Sequence, residues 1–507
     1  MVEQKGRDAE PDLTQGVTLT DFNGKAMLRG RVGKKAVLLA RLGGDVVAVG
    51  ATCTHYQGPL DQGMIDGETV RCPLHHACFS LRTGEAIGAP AFDPIPCWKV
   101  ERDGDRIIVR DRIQPAPAPI NPAGQPGRIV IIGGGAAGFA AAEMLRRHGF
   151  GGALTMLSED GDAPCDRPNL SKDYLAGDAP LDWLPLRPAG FYADSGIDLH
   201  LATRVDAIDM AGRAVMTQDG GRHAFDRLLI ATGAEPVRLP IPGADLPHVF
   251  TLRSLADSRA IIARAEQAKS AVILGSGFIG LETAAALRRR GLDVHLVSLD
   301  DAPLVRVLGL DLGQFIRTLH EAHGETFHLE TSIASIDHDS VTLANGARIP
   351  ADLVIIGVGV RPRLSLAEGA GLALDRGILV DACLETSAPG VFAAGDVARW
   401  PGDITGETRR VEHWVVAERQ GQVAAINMLG GKQPFRDVPF FWSVHHDVTI
   451  RYVGHAPSWD VIEIEGDIAA KDCMVRYKQD GRVLAIATIG RDWQALEQGQ
   501  MLAAARE

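Results

Sequence analysis

Positive charge is outnumbered in this chain, and aromatic side chains are scarce. Its 507 residues hold 52 Lys and Arg against 64 Asp and Glu, a formal net charge of −12, and only 5% of them are aromatic. Such an acidic balance argues against nucleic acid and anionic membranes, whose phosphates need a positive face. It leaves room for a basic redox partner without requiring one. Long apolar runs are missing too: nothing reaches about 18 uninterrupted apolar residues. The nearest, AVILGSGFIGLETAAAL, is better explained as a nucleotide-binding turn. The opening MVEQKGRDAEPDLTQG is polar and partly acidic, with no apolar signal region. Seven cysteines at irregular spacing do not make a disulfide framework. These absences predict a cytoplasmic protein with no nucleic acid and no membrane among its partners.

Glycine, by contrast, is plentiful, with 57 residues, and the chain is long enough for three or four domains. The glycines cluster informatively. In RIVIIGGGAAGFAAAEMLRRHGF, from Arg128, an apolar strand ends at Gly133-x-Gly135-x-x-Gly138 and a helix follows. Glycines so spaced give a tight turn, close approach of backbone to a pyrophosphate and close helix–strand packing, with the helix N-terminus facing the phosphates. The next strand, LTMLS, ends at Glu159, where a ribose-binding carboxylate belongs. A purely structural glycine turn is the alternative, but strand, helix and terminal acid together predict a dinucleotide. The pattern repeats in SAVILGSGFIGLETAAALRRRGLDVHLVSLDD, with Gly275, Gly277 and Gly280. Two fingerprints about 140 residues apart predict two dinucleotide sites, and the natural second ligand is a nicotinamide coenzyme.

Between and after the fingerprints lie PCDRPNLSKDYLAG (164–177), Ala231-Thr232-Gly233, TSAPGVFAAGDV ending at Gly395-Asp396, VEHW with Trp414, and VPFFWS with Trp442. This set resembles FAD-dependent ferredoxin reductases and apoptosis-inducing-factor-like proteins. The resemblance implies FAD on the first fingerprint, with Ala231 at its strand end, Arg167 and Lys172 beside the flavin, and Asp396 on the ribityl chain. It implies Trp414 and Trp442 near the isoalloxazine, where packing tryptophans are the plainer alternative. It also implies a catalytic pair, Lys172 stabilising charge on reduced flavin and Glu282 orienting it. One departure stands out. The family commonly ends the second fingerprint's next strand with an acid for the coenzyme ribose, and Ser298 stands there. Asp300 or Asp301 can substitute, and the first following arginine is Arg306. NADH is the expected coenzyme, with NADPH the alternative.

Upstream, residues 1–112 read as short strands separated by turns: VTLTDF, KKAVLLARL, DVVAVGA, CWKVE and RIIVR, with Gly43-Gly44 and Asp103-Gly104 suiting tight hairpins. Two loops carry Cys53-Thr-His55 and Cys72-Pro-Leu-His75. This pattern resembles the Rieske 2Fe–2S ligand set, in which two thiolates hold one iron and two imidazoles the other. Structural zinc is the alternative. High-potential Rieske proteins carry an extra cysteine in each loop and a serine hydroxyl near a cluster sulfur; Gly58, Leu74 and Ala77 hold those places here. Fewer hydrogen bonds to sulfur imply a potential near the bottom of the Rieske range. Of the other two cysteines here, Cys78 and Cys97, the former is expected as a packed thiol, and His76 as a loop residue.

The resulting organisation is a multidomain chain. An all-β Rieske domain (1–112) is followed by a Pro/Ala linker (113–127). Two interleaved Rossmann-like α/β domains come next, for FAD (128–245 and 366–410) and NAD(P) (246–365), and an α+β C-terminal domain (411–507) closes the chain. The linker, on the order of 40 Å extended, leaves open a homodimer in which the cluster docks on a neighbour's flavin. Flavin disulfide chemistry is not expected, because only Cys165 falls in the matching region while Cys383 and Cys473 lie far along the chain. The expected function is electron transfer from NAD(P)H through FAD to the cluster, and on to an acceptor protein such as an oxygenase or a cytochrome P450. The alternatives are an NADH oxidase or small-acceptor reductase, and a redox-sensing binding protein like the apoptosis-linked relatives.

Overall fold

A computed structural model describes residues 10–114, 125–402 and 408–505, so most of the Pro/Ala linker lies outside the described residues. The chain divides into two compact units, residues 1–119 with 491–504, and residues 120–490 with 505–507.

The first unit holds a six-stranded antiparallel sheet in the order Val17–Thr18, Arg106–Ile113, Cys97–Asp103, Asp45–Gly50, Lys35–Leu42, Met27–Val32. Inward-facing Val37, Leu39, Ala48, Trp98 and Ile107 bury one face, as period-2 alternation dictates. Leu42 pairs with Asp45, which makes Gly43-Gly44 the expected two-residue turn. Asp103 pairs with Arg106, so the second turn is Gly104-Asp105, one residue later than expected. VTLTDF is a strand only at Val17–Thr18. The Asp21 carboxylate accepts the Thr18 N–H at 2.6 Å and winds Leu19–Phe22 into a 3-10 turn. A second antiparallel sheet, Met64–Asp66, Thr69–Arg71, Cys78–Ser80 and Ala86–Gly88, supports the cysteine–histidine loops. The last helix, Asp492–Ala504, groups with this unit, where it meets Met64–Asp66, and not with the C-terminal sheet that precedes it.

In the second unit two parallel five-stranded sheets share one plan. The first runs Ile197–His200, Ala153–Leu157, Arg128–Ile132, Arg227–Ile230, Val391–Ala393. The other runs Val249–Phe250, Leu353–Ile356, Ser270–Leu274, Asp293–Val297, Thr326–His328. The first sheet receives its last strand only after the whole second sheet has formed, so the two domains interleave. Ala234–Pro236 pairs with Val360–Pro362 where the chain passes out and back. A five-stranded antiparallel sheet, with Phe440–His445 and Val448–Gly454 at one side, then packs on the second parallel domain. Ile450, Tyr452 and Tyr477 share a core with Leu308 and Leu312, and the Tyr477 hydroxyl donates to the Leu308 carbonyl at 3.0 Å.

The helix Trp414–Met428 crosses the first fingerprint helix, Ala136–Arg147, at Gly421. A β-carbon there would stand 2.2 Å from the Ala137 carbonyl oxygen. Backbone cannot retreat as a flexible side chain can, so the crossing distance requires glycine. Replacing Gly421 by Ala is expected to destabilise by about 2 kcal/mol and to lower flavin content, measured by denaturant unfolding and by absorbance of the purified protein.

Candidate functional site

Both fingerprints end their strands in the same way. Gly133 (φ +112) and Gly275 (φ +113) take conformations that L side chains rarely adopt. A β-carbon would lie 2.2 Å from the Ala231 carbonyl at the first and 2.3 Å from the Gly357 carbonyl at the second. Gly138 and Gly280 sit in turn against the carbonyls of Gly133 and Gly275, at 1.9 and 2.3 Å from a built β-carbon. Strand end and helix start are thereby pressed together, and the helix N-terminus is left bare for an anion.

The two turns open onto one cavity of about 1520 Å³, well above the roughly 300–1,000 Å³ of an ordinary ligand pocket. It brings together Gly133, Gly135, Glu159, Arg167, Lys172 and Ala231 with Gly275, Gly277, Gly280 and Glu282. Ser298, Asp300, Gly395, Asp396, Trp414 and Trp442 line it too. Gly138, which packs under the turn, does not. A cradle of glycines that β-carbons would fill, on a cavity of this volume, fits two dinucleotides.

Glu282 is the most constrained polar group of the wall, its side chain 2% exposed. One carboxylate oxygen accepts from Lys172 Nζ at 2.9 Å and Ser171 Oγ at 2.6 Å; the other accepts from Ser443 Oγ at 2.6 Å. Lys172 Nζ also donates to the Pro168 carbonyl at 3.0 Å. Arg167 lies over the Gly135 turn and pairs with Asp160 at 2.7 Å. Asp396 is held by Arg253 at 2.7 Å. Glu159 is engaged by Arg363, and by Arg204 at 3.6 Å. Ser298 receives the Ser276 hydroxyl at 2.8 Å and the Asp300 amide at 3.3 Å, while Asp300 Oδ1 accepts two bonds from Arg306, at 2.6 and 2.9 Å. Asp300, not Ser298, therefore presents a carboxylate at this end.

Four groups of this region escaped the sequence reading: Ser443, Arg253, His413 and Glu418. Ser443, Arg253 and His413 act through partners remote in the chain, Glu418 is bonded by Trp414 on its own helix, and only His413, beside Trp414 in VEHW, carried a local signal. His413 lines the cavity, packs on Phe441 with ring centroids 4.6 Å apart, and is pushed down to about 3 by burial. It is a neutral imidazole there, and its Nδ1 has no partner among the described residues. Glu418, 1% exposed, is pushed well above the carboxylate range, first by burial and then by Asp166, against a bond from Trp414.

In the first unit the cysteine–histidine loops converge. Cys53 and Cys72 are each 2% exposed, and the Nδ1 atoms of His55 and His75 stand 3.2 Å apart. Two nitrogen ligands on one tetrahedral metal at about 2.1 Å would be roughly 3.4 Å apart, so the imidazoles fit a shared ion. Contact with Cys72, then burial, push the Cys53 thiol upward against N–H bonds from His55 and Tyr56. Thiolates here call for a positive centre. A β-carbon at Gly58 would be 2.6 Å from Cys72 Sγ, which leaves no room for a longer residue in that loop. Cys78 and Cys97 are buried. No disulfide joins any cysteine among the described residues. Burial pushes Cys165 up to about 11, the opposite of an activated thiolate.

Fold and site define an electron-transferring flavoprotein reductase fused to an iron–sulfur module. The family models agree. Residues 127–421 match the pyridine nucleotide-disulphide oxidoreductase model, 17–99 the Rieske [2Fe-2S] domain, and 440–507 the reductase C-terminal domain. The chain belongs to the pyridine nucleotide-disulphide oxidoreductase family, in its Rieske-fused, ferredoxin-reductase-like form. It is 30% identical to Apoptosis-inducing factor 3 of Mus musculus over 506 residues, covering 96% of this chain and 83% of that one. It is 37% identical to the ferredoxin–NAD(+) reductase component of the biphenyl dioxygenase system of Paraburkholderia xenovorans, over 71% of this chain and 89% of that one. Among solved structures it resembles the covalent putidaredoxin reductase–putidaredoxin complex, with a TM-score of 0.72 and 32% identity, over 75% of this chain and 93% of that one. The chain is thus an FAD-binding NAD(P)H oxidoreductase of the ferredoxin-reductase type. No helix of the described residues is long and apolar enough to cross a membrane.

Glu418 supplies a pH signature. Its folded pKa is raised, so the folded state keeps a proton that the unfolded chain releases above the usual glutamate range, near 4.3. Stability from this group is lost as pH rises from there to the raised folded pKa. Replacing Glu418 by Gln keeps an acceptor for Trp414 and removes the titration. The variant's advantage over wild type is expected to grow by about 1.4 kcal/mol per pH unit above that point until the folded group ionises, read from urea unfolding between pH 5 and 8.

Proposed function

We propose that this protein takes reducing equivalents from NADH into FAD and passes them through a Rieske 2Fe–2S cluster to a separate acceptor protein. The observation that carries the reading is the Lys172–Glu282 pair on the wall of the cavity shared by both fingerprints, at 2.9 Å. When bound, the flavin converts a two-electron donor to one-electron steps and the cluster relays single electrons.

The chain's own residues supply position and field. The helix starting past Gly135 takes the FAD pyrophosphate, with Glu159 at its ribose and Asp396 at the ribityl chain. Lys172, held in place by Glu282 and the Pro168 carbonyl, presents its ammonium to the negative charge that reduction leaves on the flavin. Arg167 sits over the turn, and Trp414 and Trp442 wall the ring system. Gly275, Gly277 and Gly280 take the nicotinamide coenzyme. Arg306 is already neutralised by Asp300, whose second oxygen is left for a ribose hydroxyl, and this favours NADH over NADPH. Cys53 and Cys72 hold one iron, His55 and His75 the other. The half-buried imidazoles form the more open side of that site.

Relatives named as reductase components of oxygenase systems, and a solved reductase–putidaredoxin complex, support an acceptor protein such as an oxygenase or a cytochrome P450. A second reading, a redox-sensing binding protein, is favoured by the match over 96% of the chain to Apoptosis-inducing factor 3.

Anaerobic NADH titration of the full chain, followed by absorbance and EPR, tests the pathway. Bleaching of the flavin should be accompanied by the EPR signal of a reduced cluster, and a cluster that stays oxidised refutes the relay. Negligible turnover with every acceptor supports the binding-protein reading instead. Lys172→Ala should retain FAD but slow its reduction by roughly 10²-fold in stopped flow. Asp300→Ala should lower kcat/KM for NADH by about 10-fold without lowering that for NADPH.

A further inference from the structure

Two imidazoles and a carboxylate from three elements meet at a point none of them shares with the dinucleotide cavity. His320 lies in the last turn of the helix Val305–Ala322. Glu325 follows Gly324, whose positive φ of +95° turns the chain into the strand Thr326–His328. His446 lies in the two-residue turn between Phe440–His445 and Val448–Gly454. His320 Nδ1 and His446 Nε2 stand 3.3 and 2.8 Å from the same oxygen, Glu325 Oε1. The donor atoms all lie within 4.8 Å of one another. The three side chains are only 0%, 0% and 5% exposed.

This arrangement is short of positive charge. The ion-pair partners of Glu325 are histidines alone among the described residues, and its Oε2 is buried with no partner there. Neutral rings do not balance a buried carboxylate; a proton or a cation must. The outer contacts match those around a metal. With Nδ1 as ligand, His320 turns Nε2 to His445 Nδ1 at 3.3 Å, the second hydrogen bond that orients a ligating histidine. The exposed His323 stacks on His446 at 3.8 Å and 5°, covering the solvent side.

We propose that His320, Glu325 and His446 form a binding site for a divalent transition ion of the Zn2+ type. Two imidazoles and one carboxylate are a zinc donor set, with Oε2 or a water completing it. The ion would clamp the second parallel-sheet domain to the C-terminal hairpin. Ser443, three residues before His446 on the hairpin's first strand, donates to Glu282, so the clamp also fixes one wall of the cavity. The site stands apart from the identity of the bound coenzymes.

The test is zinc uptake by the full-length holoprotein, with iron and flavin counted alongside. One zinc per chain by calorimetry and elemental analysis is expected, at an unchanged two irons and one flavin, with the melting temperature raised by several degrees. The zinc K-edge spectrum should show nitrogen and oxygen ligands and no sulfur. Glu325→Gln and His446→Asn, the latter chosen because asparagine tolerates the φ of +52° at that turn, should each weaken binding at least about 100-fold with flavin retained. No stoichiometric uptake by wild type means that a proton alone completes the cluster, and overturns the proposal. Sulfur ligation, which would place the ion on the cysteines, or wild-type binding by either variant overturns it equally.

Discussion

The architecture of the large unit turns on one buried carboxylate. Glu282 belongs to the second fingerprint helix, yet its donors come from elsewhere: Lys172 and Ser171 from the segment after the first fingerprint, Ser443 from the C-terminal sheet. Burying such an ion costs several kcal/mol before its partners are counted. A net gain in stability is therefore a poor explanation for it. Its effect is positional: three separately folded pieces must agree on where one carboxylate sits, and Lys172 is fixed as a result. In the proposed function this spares the ammonium reorganisation when charge develops beside it.

That constraint operates inside a duplicated frame. Each parallel sheet ends a central strand in a glycine that a side chain would drive into a neighbouring carbonyl, and each turns into a helix at the edge of the same cavity. Ligands of open α/β sheets bind at the carboxyl ends of strands. Interleaving the two domains brings both sets of strand ends to one cavity. The Gly421–Ala137 crossing holds the first fingerprint helix from behind, so the cradle is fixed by backbone contact and not by adaptable side chains.

Local patterns were legible in the chain and long-range partners were not. The two glycine fingerprints, the C-x-H and C-x-x-H loops and the Gly43-Gly44 hairpin each need only neighbours in sequence, and the structure places them in strand–turn–helix, loop and hairpin settings. Lys172 and Glu282, 110 residues apart, were connected only through resemblance to a family. Ser443 had no such guide, because a serine in VPFFWSVHHD is indistinguishable from any other strand serine. VTLTDF misled because its alternation fits a strand, whereas Asp21 accepts the Thr18 N–H and the next four residues wind into a 3-10 turn. The terminal helix follows a strand of the C-terminal sheet in sequence, yet its contacts lie with the first unit, which no spacing rule foretells.

Three buried glutamates in the large unit show how burial sorts a carboxyl's role. Glu282 has a lysine and two hydroxyls, a complete set of donors for a charged group. Glu418 has one indole N–H and a nearby acid, so it keeps its proton and behaves as a polar packing group. Glu325 falls between them. Two imidazoles supply hydrogen bonds without a permanent charge, and one oxygen has none among the described residues. A carboxylate in that position is electrically incomplete as a structural element alone. The same deficit marks the cysteine–histidine loops, where Cys72 and burial oppose a thiolate at Cys53. Donor atoms gathered with too little positive charge are, in both places, what a cation would complete.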